Sequence, residues 1–258
     1  MYNKKYKGKY IKVKRMFRNN KNAFTLAEVL ITLGIIGVVA AMTIPNLMSN
    51  IKAQQYTKKF KKTISTLSQA GRIAQANYGW DYAGVSTQCS SVSGSDSPEE
   101  HQTVCALLNG SLTGKTFYWG LSSLPNYKIT SQTFDSTSSF RDYKNQIPIY
   151  TLSDGTLIIL SWGFGVYGSG ACSRTIGSNP FHYQGKGNGC YAMIDVNGLS
   201  LPNKETSCSV GSNTFMAENS KNCVVKNKDI NDIFYVGFYD SIVTPITSAS
   251  WYVYNNAK

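Results

Sequence analysis

The sequence predicts an α+β protein: one long N-terminal helix packed on a C-terminal antiparallel β-rich domain. Three observations predict it. Residues 24–78 read as a single helix, apolar on all sides in its first part and amphipathic in its second. After Tyr78-Gly79 the helix formers give way to Gly, Ser, Thr, Tyr and Asn. The short apolar runs that follow are divided by Asp-Gly and Asn-Gly turn signals, and a helix followed by a run of strands is the order of an α+β fold.

The first 23 residues stand apart from both halves. The chain of 258 residues carries a net charge of +12, which at first suggests nucleic acid or an anionic surface. Nine of the 26 Lys and Arg lie in residues 1–23, which hold no acid; the remaining 17 face 14 acids, a net of +3. The basic character therefore belongs to a leader, and a nucleic-acid partner is not expected for the main domain. Positive residues before an apolar span stay on the cytoplasmic side, so the expected orientation is N-terminus in and everything after the span exported.

From Val29 to Ile51 there are 23 consecutive residues without a charge. About 20 suffice to cross a bilayer as a helix. The run is longer than an ordinary secretory h-region of roughly 7–15 residues, and Ala40-Ala41-Met42 is a poor signal-peptidase site. Residues 24–50 thus read as a transmembrane helix and 51–78 as its amphipathic continuation. Pro45 removes a helix hydrogen bond and is expected to kink or loosen the span. In the continuation, Phe60, Ile64, Leu67, Gly71 and Ala74 make one apolar face. Lys58, Lys59, Lys61 and Lys62 beside it read as a solvated helix face, with a headgroup or partner contact as the alternative.

Residues 79–258 read as the exported globular domain. A short helix is expected around Glu99–Leu108, with Ser97 as N-cap and Pro98 at its first position. Ile147–Leu152 and Thr156–Trp162 flank Ser153-Asp154-Gly155 and form a hairpin. Tyr191–Val196, ending at Asn197-Gly198, and Phe234–Tyr239 and Trp251–Tyr254 are further strands. The tyrosines fill the core of such a domain more readily than they form a binding face.

All six cysteines lie beyond the span, none in a CxxC pair, and there are only two histidines. An even count on the exported side favours disulfides over zinc. Six cysteines allow 15 connectivities; short loops close most easily, which favours Cys89–Cys105, Cys172–Cys190 and Cys208–Cys223. Reduced buried thiols are the alternative in a reducing compartment.

One acid, Glu28, sits near the start of the apolar run. A charge at membrane depth costs roughly 2.5–3.5 kcal/mol on insertion scales. It is either a snorkelling acid near the membrane edge or a placed functional group. The surrounding stretch, Ala23-Phe24-Thr25-Leu26-Ala27-Glu28-Val29-Leu30-Ile31-Thr32-Leu33 with its apolar continuation to Ile44-Pro45, resembles the N-terminus of type IV pilins and of the pseudopilins of type II secretion and competence systems. The resemblance covers roughly residues 21–50 and is architectural beyond residue 80. It implies a pilin-like fold, and it implies that a prepilin peptidase removes residues 1–23 by cutting between Ala23 and Phe24 and then methylates the Phe24 amine. It implies that Glu28 recruits Phe24 of a neighbouring subunit. The helix would hold the subunit in the bacterial inner membrane and later form the core of a cell-surface or periplasmic filament. The family usually has Gly before the cut, and Ala23 stands there in this chain.

The implied partners are the prepilin peptidase, further copies of this chain or other pilins, and an inner-membrane assembly platform. Physical chemistry supports the pairing: cleavage creates an α-amine of pKa about 7.7–8.0, and a buried amine and carboxylate each cost less when paired. A second, weaker resemblance lies at Ile194-Asp195-Val196-Asn197-Gly198 with Pro202-Asn203. Similar loops in pseudopilin C-terminal regions bind calcium in some cases. Asp195 and Asn197 offer hard oxygens, which Asp229 and Asp232 could supplement; the alternative is a strand-ending turn. No GxSxG, HExxH or P-loop is present, so no enzyme is expected. The expected function is a structural pilin or pseudopilin subunit; the alternative is a membrane-anchored binding module that does not polymerise.

Overall fold

The computed structural model describes residues 24–90, 96–136, 138–161, 164, 190–215 and 222–256. The expected leader with Ala23, the polar residues 91–95, Trp162 and Cys172 with its expected bond to Cys190 lie outside the described residues. The chain forms two compact units, Met1–Pro45 and Asn46–Lys258. Helix α1 (Leu26–Tyr78) supplies the described part of the first unit and the opening segment of the second.

In the first unit the apolar residues of α1 are exposed along its length: Leu30, Leu33, Ile36, Val39 and Met42 are all more than half accessible. By length and composition α1 is the one helix among the described residues able to cross a membrane. Pro45 lies inside α1, and the division into units falls immediately after it. Its missing N–H leaves the carbonyl one turn earlier without the usual donor.

The second unit is built on a six-stranded antiparallel sheet. Its strands are β1 (Thr116–Trp119), β2 (Pro148–Thr151), β3 (Leu157–Leu160), β4 (Tyr191–Asp195), β7 (Ile233–Tyr239) and β8 (Ile242–Pro245), in the order β1-β2-β3-β4-β7-β8. A small second sheet pairs β5 (Val210–Gly211) with β6 (Cys223–Val224). The period-two alternation gives the main sheet two buried faces. Tyr150, Ile158, Ile194 and Phe234 face α1 and helix α2 (Val104–Ser111), while Ile149, Ile159, Met193 and Tyr235 face Phe134 and Phe140 of the short helices α3 (Gln132–Ser136) and α4 (Ser138–Arg141).

The expected apolar face of α1 is the face it buries, at Phe60, Ile64, Leu67, Gly71 and Ala74. Phe60 stacks on Phe234 with ring centroids 4.1 Å apart. Gly71 permits the closest approach: a Cβ there would lie 2.8 Å from the Tyr82 ring and 3.2 Å from the Ser241 backbone. Tyr82 in turn donates its hydroxyl to the Leu67 carbonyl at 2.7 Å. The expected hairpin is β2–β3, closed by a bond from the Leu152 N–H to the Thr156 carbonyl at 2.8 Å, with Gly155 at φ 84°.

Two expected elements are corrected. The helix expected at Glu99–Leu108 begins at Val104: Ser97 and Pro98 make a turn, and Thr103 is the N-cap, its hydroxyl accepting from the Ala106 N–H at 2.8 Å. Trp251–Tyr254 is not a strand but part of helix α5 (Ser248–Asn256), with Ala249 and Val253 buried one turn apart. Cys89–Cys105 and Cys208–Cys223 are disulfide-bonded. The first ties the segment after α1 to α2, and the second closes the chain between β5 and β6.

Candidate assembly site at the start of the N-terminal helix

The start of α1 is a reciprocal cap. Thr25 precedes the first helical residue, and its carbonyl accepts the first helical bond from the Val29 N–H at 3.2 Å. Its hydroxyl accepts from the Glu28 N–H at 3.2 Å. Glu28 Oε2 in return accepts from the Thr25 N–H and from the Thr25 hydroxyl, both at 2.8 Å. This is the capping box, in which the cap and the third helical residue each satisfy a backbone donor that the helix leaves orphaned. The carboxylate also sits where the positive end of the helix dipole favours an anion. Sequence reading missed the role of Thr25, although Thr-x-x-Glu before an apolar run is its signal. The cap engages Oε2 and positions Glu28 beside the backbone of Phe24-Thr25, and Phe24 itself is 83% exposed.

The second candidate lies at the end of β4. Asp195 is buried; Oδ1 accepts from the N–H groups of Asn197 at 2.9 Å and Gly198 at 3.0 Å, and Oδ2 accepts from the Tyr127 hydroxyl at 2.6 Å. Asn197 Nδ2 donates to the Ser200 and Leu201 carbonyls, both at 3.0 Å. Asp232, also buried, accepts from the N–H groups of Asn203 at 3.0 Å and Lys204 at 2.7 Å. These three side chains together fasten the loop from residue 197 to 204. Asp229 serves a different place, accepting from the Ser209 hydroxyl beside β5.

Burial pushes the Asp195 carboxyl up to about 7; the Tyr127 hydrogen bond pulls it the other way and the Asp232 charge adds to the rise. Burial likewise raises Asp232, opposed by its backbone donors. A calcium ion at Asp195 and Asn197 has these hydrogen bonds as its competitors. Among the described residues, the one group of three acids, cysteines or histidines close enough to share a metal is Cys89, Asp96 and Cys105, and both of its sulfurs are in a disulfide.

Of the lysines expected on a solvated face, Lys59 is half-buried and its Nζ donates to the Val196 carbonyl after β4 at 3.0 Å, while Lys62 stays exposed and pairs with Asp154 at the hairpin tip at 2.8 Å. Neither Lys59 nor Tyr127 has a local signal for its role, because their partners lie 137 and 68 residues away in the chain.

Comparison with known proteins bears on the first site. Residues 18–44 match the prokaryotic N-terminal methylation motif. That motif is the signature of type IV pilins and pseudopilins. It includes Thr25 and Glu28 and the first turns of α1, and it ends inside the apolar run. The methylation motif marks a pilin- or pseudopilin-type precursor, a class of structural subunits processed by prepilin peptidase and joined by pilin-type assembly. Together with the apolar helix it is consistent with membrane anchoring. No curated protein and no solved structure matches the chain.

Proposed function

We propose that the chain is a pilin or pseudopilin subunit, cut between Ala23 and Phe24, N-methylated at Phe24 and polymerised through α1. The observation that carries this reading is the methylation motif, with Thr25 and Glu28 interlocked at the helix start. Cutting there places the new α-amine on Phe24, one residue before the cap. The cap holds Glu28 by Oε2 and orients the carboxylate for a cationic partner. Inside one chain the amine precedes the helix and lies four residues before Glu28. Between two chains displaced along their axes, the amine of one meets the carboxylate of the other, and pairing lowers the cost of both charges in an apolar layer.

The exposed apolar surface of the first unit has the same logic. Left in water it is costly, at roughly 25 cal/mol per Å². Lipid covers it before assembly, and helices of neighbouring subunits cover it afterwards. The subunit would reside in the bacterial inner membrane, with its N-terminus cytoplasmic and its second unit exported, and then in a surface or periplasmic filament.

Mass spectrometry of the mature N-terminal peptide tests the reading. N-methylated Phe24 is expected. An intact leader supports instead an anchored binding module that does not polymerise, and a start beyond Ala41 contradicts both readings, because too little of the apolar run is left to span a membrane.

A further inference from the structure

The uncharged run ends at Ile51, so Lys52 is the first charge on the exported side. One turn of chain far away in sequence reaches this level. Asn227 Nδ2 donates to Asn50 Oδ1 at 2.9 Å, both within the second unit. At 1.5 Å of helix rise per residue, Asn50 lies about 3 Å from the level of Lys52. The two neighbours of Asn227 are Lys226 and Lys228, both exposed. Among the described residues neither side chain pairs with a carboxylate, and the adjacent Asp229 is engaged by Ser209.

The turn is firmly held. The Lys226 N–H donates to the Ser209 hydroxyl at 2.6 Å, the Asp229 N–H to the Lys226 carbonyl at 2.9 Å, and Cys208–Cys223 closes the strands that lead into it. Beside it, Val210 and Val224 pair across β5–β6 and remain 60% and 42% exposed. Exposed apolar residues next to unpaired lysines, at the level where an apolar helix meets its first charge, match the boundary between acyl chains and headgroups.

We propose that Lys226 and Lys228, with Lys52, contact the phosphates of anionic lipids and seat the second unit on the membrane surface before assembly. This rests on the reading that α1 spans the membrane. Anionic headgroups attract each nearby lysine, and the attraction is confined to about a Debye length. A turn fixed to the helix at the headgroup level lies within that range. Entry into a filament would then require these contacts to break.

Lysine-reactive labelling of the full chain tests the proposal, in nanodiscs of phosphatidylcholine alone and of phosphatidylcholine with phosphatidylglycerol, read by mass spectrometry. Exposed Lys144, in the segment after α4, is the internal reference. Labelling of Lys226 and Lys228 relative to Lys144 is expected to slow roughly fivefold with the anionic lipid, and to recover in high salt. Equal labelling in both lipids, with α1 inserted, overturns the headgroup contact and leaves the anchoring reading standing. Failure of α1 to insert in either lipid overturns both. Protection that grows with copies of the chain per disc and ignores lipid charge assigns the lysines to a second copy and overturns the contact as well.

Discussion

The two units bury their apolar residues by opposite means. In the second unit Phe60, Tyr82, Tyr150 and Phe234 are buried against one another within one chain. In the first unit Leu30, Ile36 and Val39 of the same helix remain exposed. The second unit buries its apolar residues within one chain, whereas the first leaves its own uncovered, to be covered on the proposed reading by lipid or by other copies. Polar groups follow the same division. Asp195 and Asp232 fasten a loop of their own domain, while Glu28 is exposed and has one oxygen engaged by its own helix start.

This contrast can be broken or sharpened by substitution. The largest effect is expected from Phe60→Ala, which removes the ring stacked on Phe234. The second unit should lose about 3–5 kcal/mol in urea unfolding, with membrane insertion and N-terminal processing unchanged. Loss of insertion in this variant would show that the two units are not separable.

Next is the pH dependence carried by Asp195. Its carboxyl, pushed up to about 7 by burial, keeps a proton in the fold where an unfolded aspartate, at about 3.9, has lost it. The folded state binds more protons between these limits. Stability of the second unit therefore falls as pH rises from about 4 through about 7, by at most about 4 kcal/mol. Asp195→Asn should flatten that slope, measured as urea midpoints across the window, and a slope unchanged by the substitution would assign the dependence elsewhere.

The smallest effect belongs to the first unit. Thr25→Ala removes one side of the cap and should cost about 1 kcal/mol of local helix stability. Amide exchange in the first turn of α1 should speed up while the melting temperature of the second unit stays fixed. A drop in that melting temperature would contradict the division.

The sequence was legible where the determinants are local. The spacing of Phe60, Ile64, Leu67, Gly71 and Ala74 named the buried face of α1, because a helix repeats every 3.6 residues. Ser153-Asp154-Gly155 named the β2–β3 hairpin, because Gly155 takes the positive φ that its turn requires. The segment Trp251–Tyr254 misled, since its aromatic and branched residues favour strands. The Thr247 hydroxyl accepting from the Ser250 N–H at 3.3 Å opens a helix there instead. Lys59 and Tyr127 were illegible for a different reason. Each acts on a partner that only the fold brings near. At the candidate assembly site the sequence pointed to Phe24 and Glu28, while the structure adds Thr25, readable as a capping box but overshadowed by the unusual charge.

Glu28→Gln tests the central claim most directly, because glutamine can keep the cap while removing the charge. The account predicts that the variant inserts in the membrane and is processed normally, yet is missing from the sheared filament fraction. Wild-type levels of Glu28→Gln in that fraction would contradict the claim that the carboxylate pairs with a neighbour's amine during assembly.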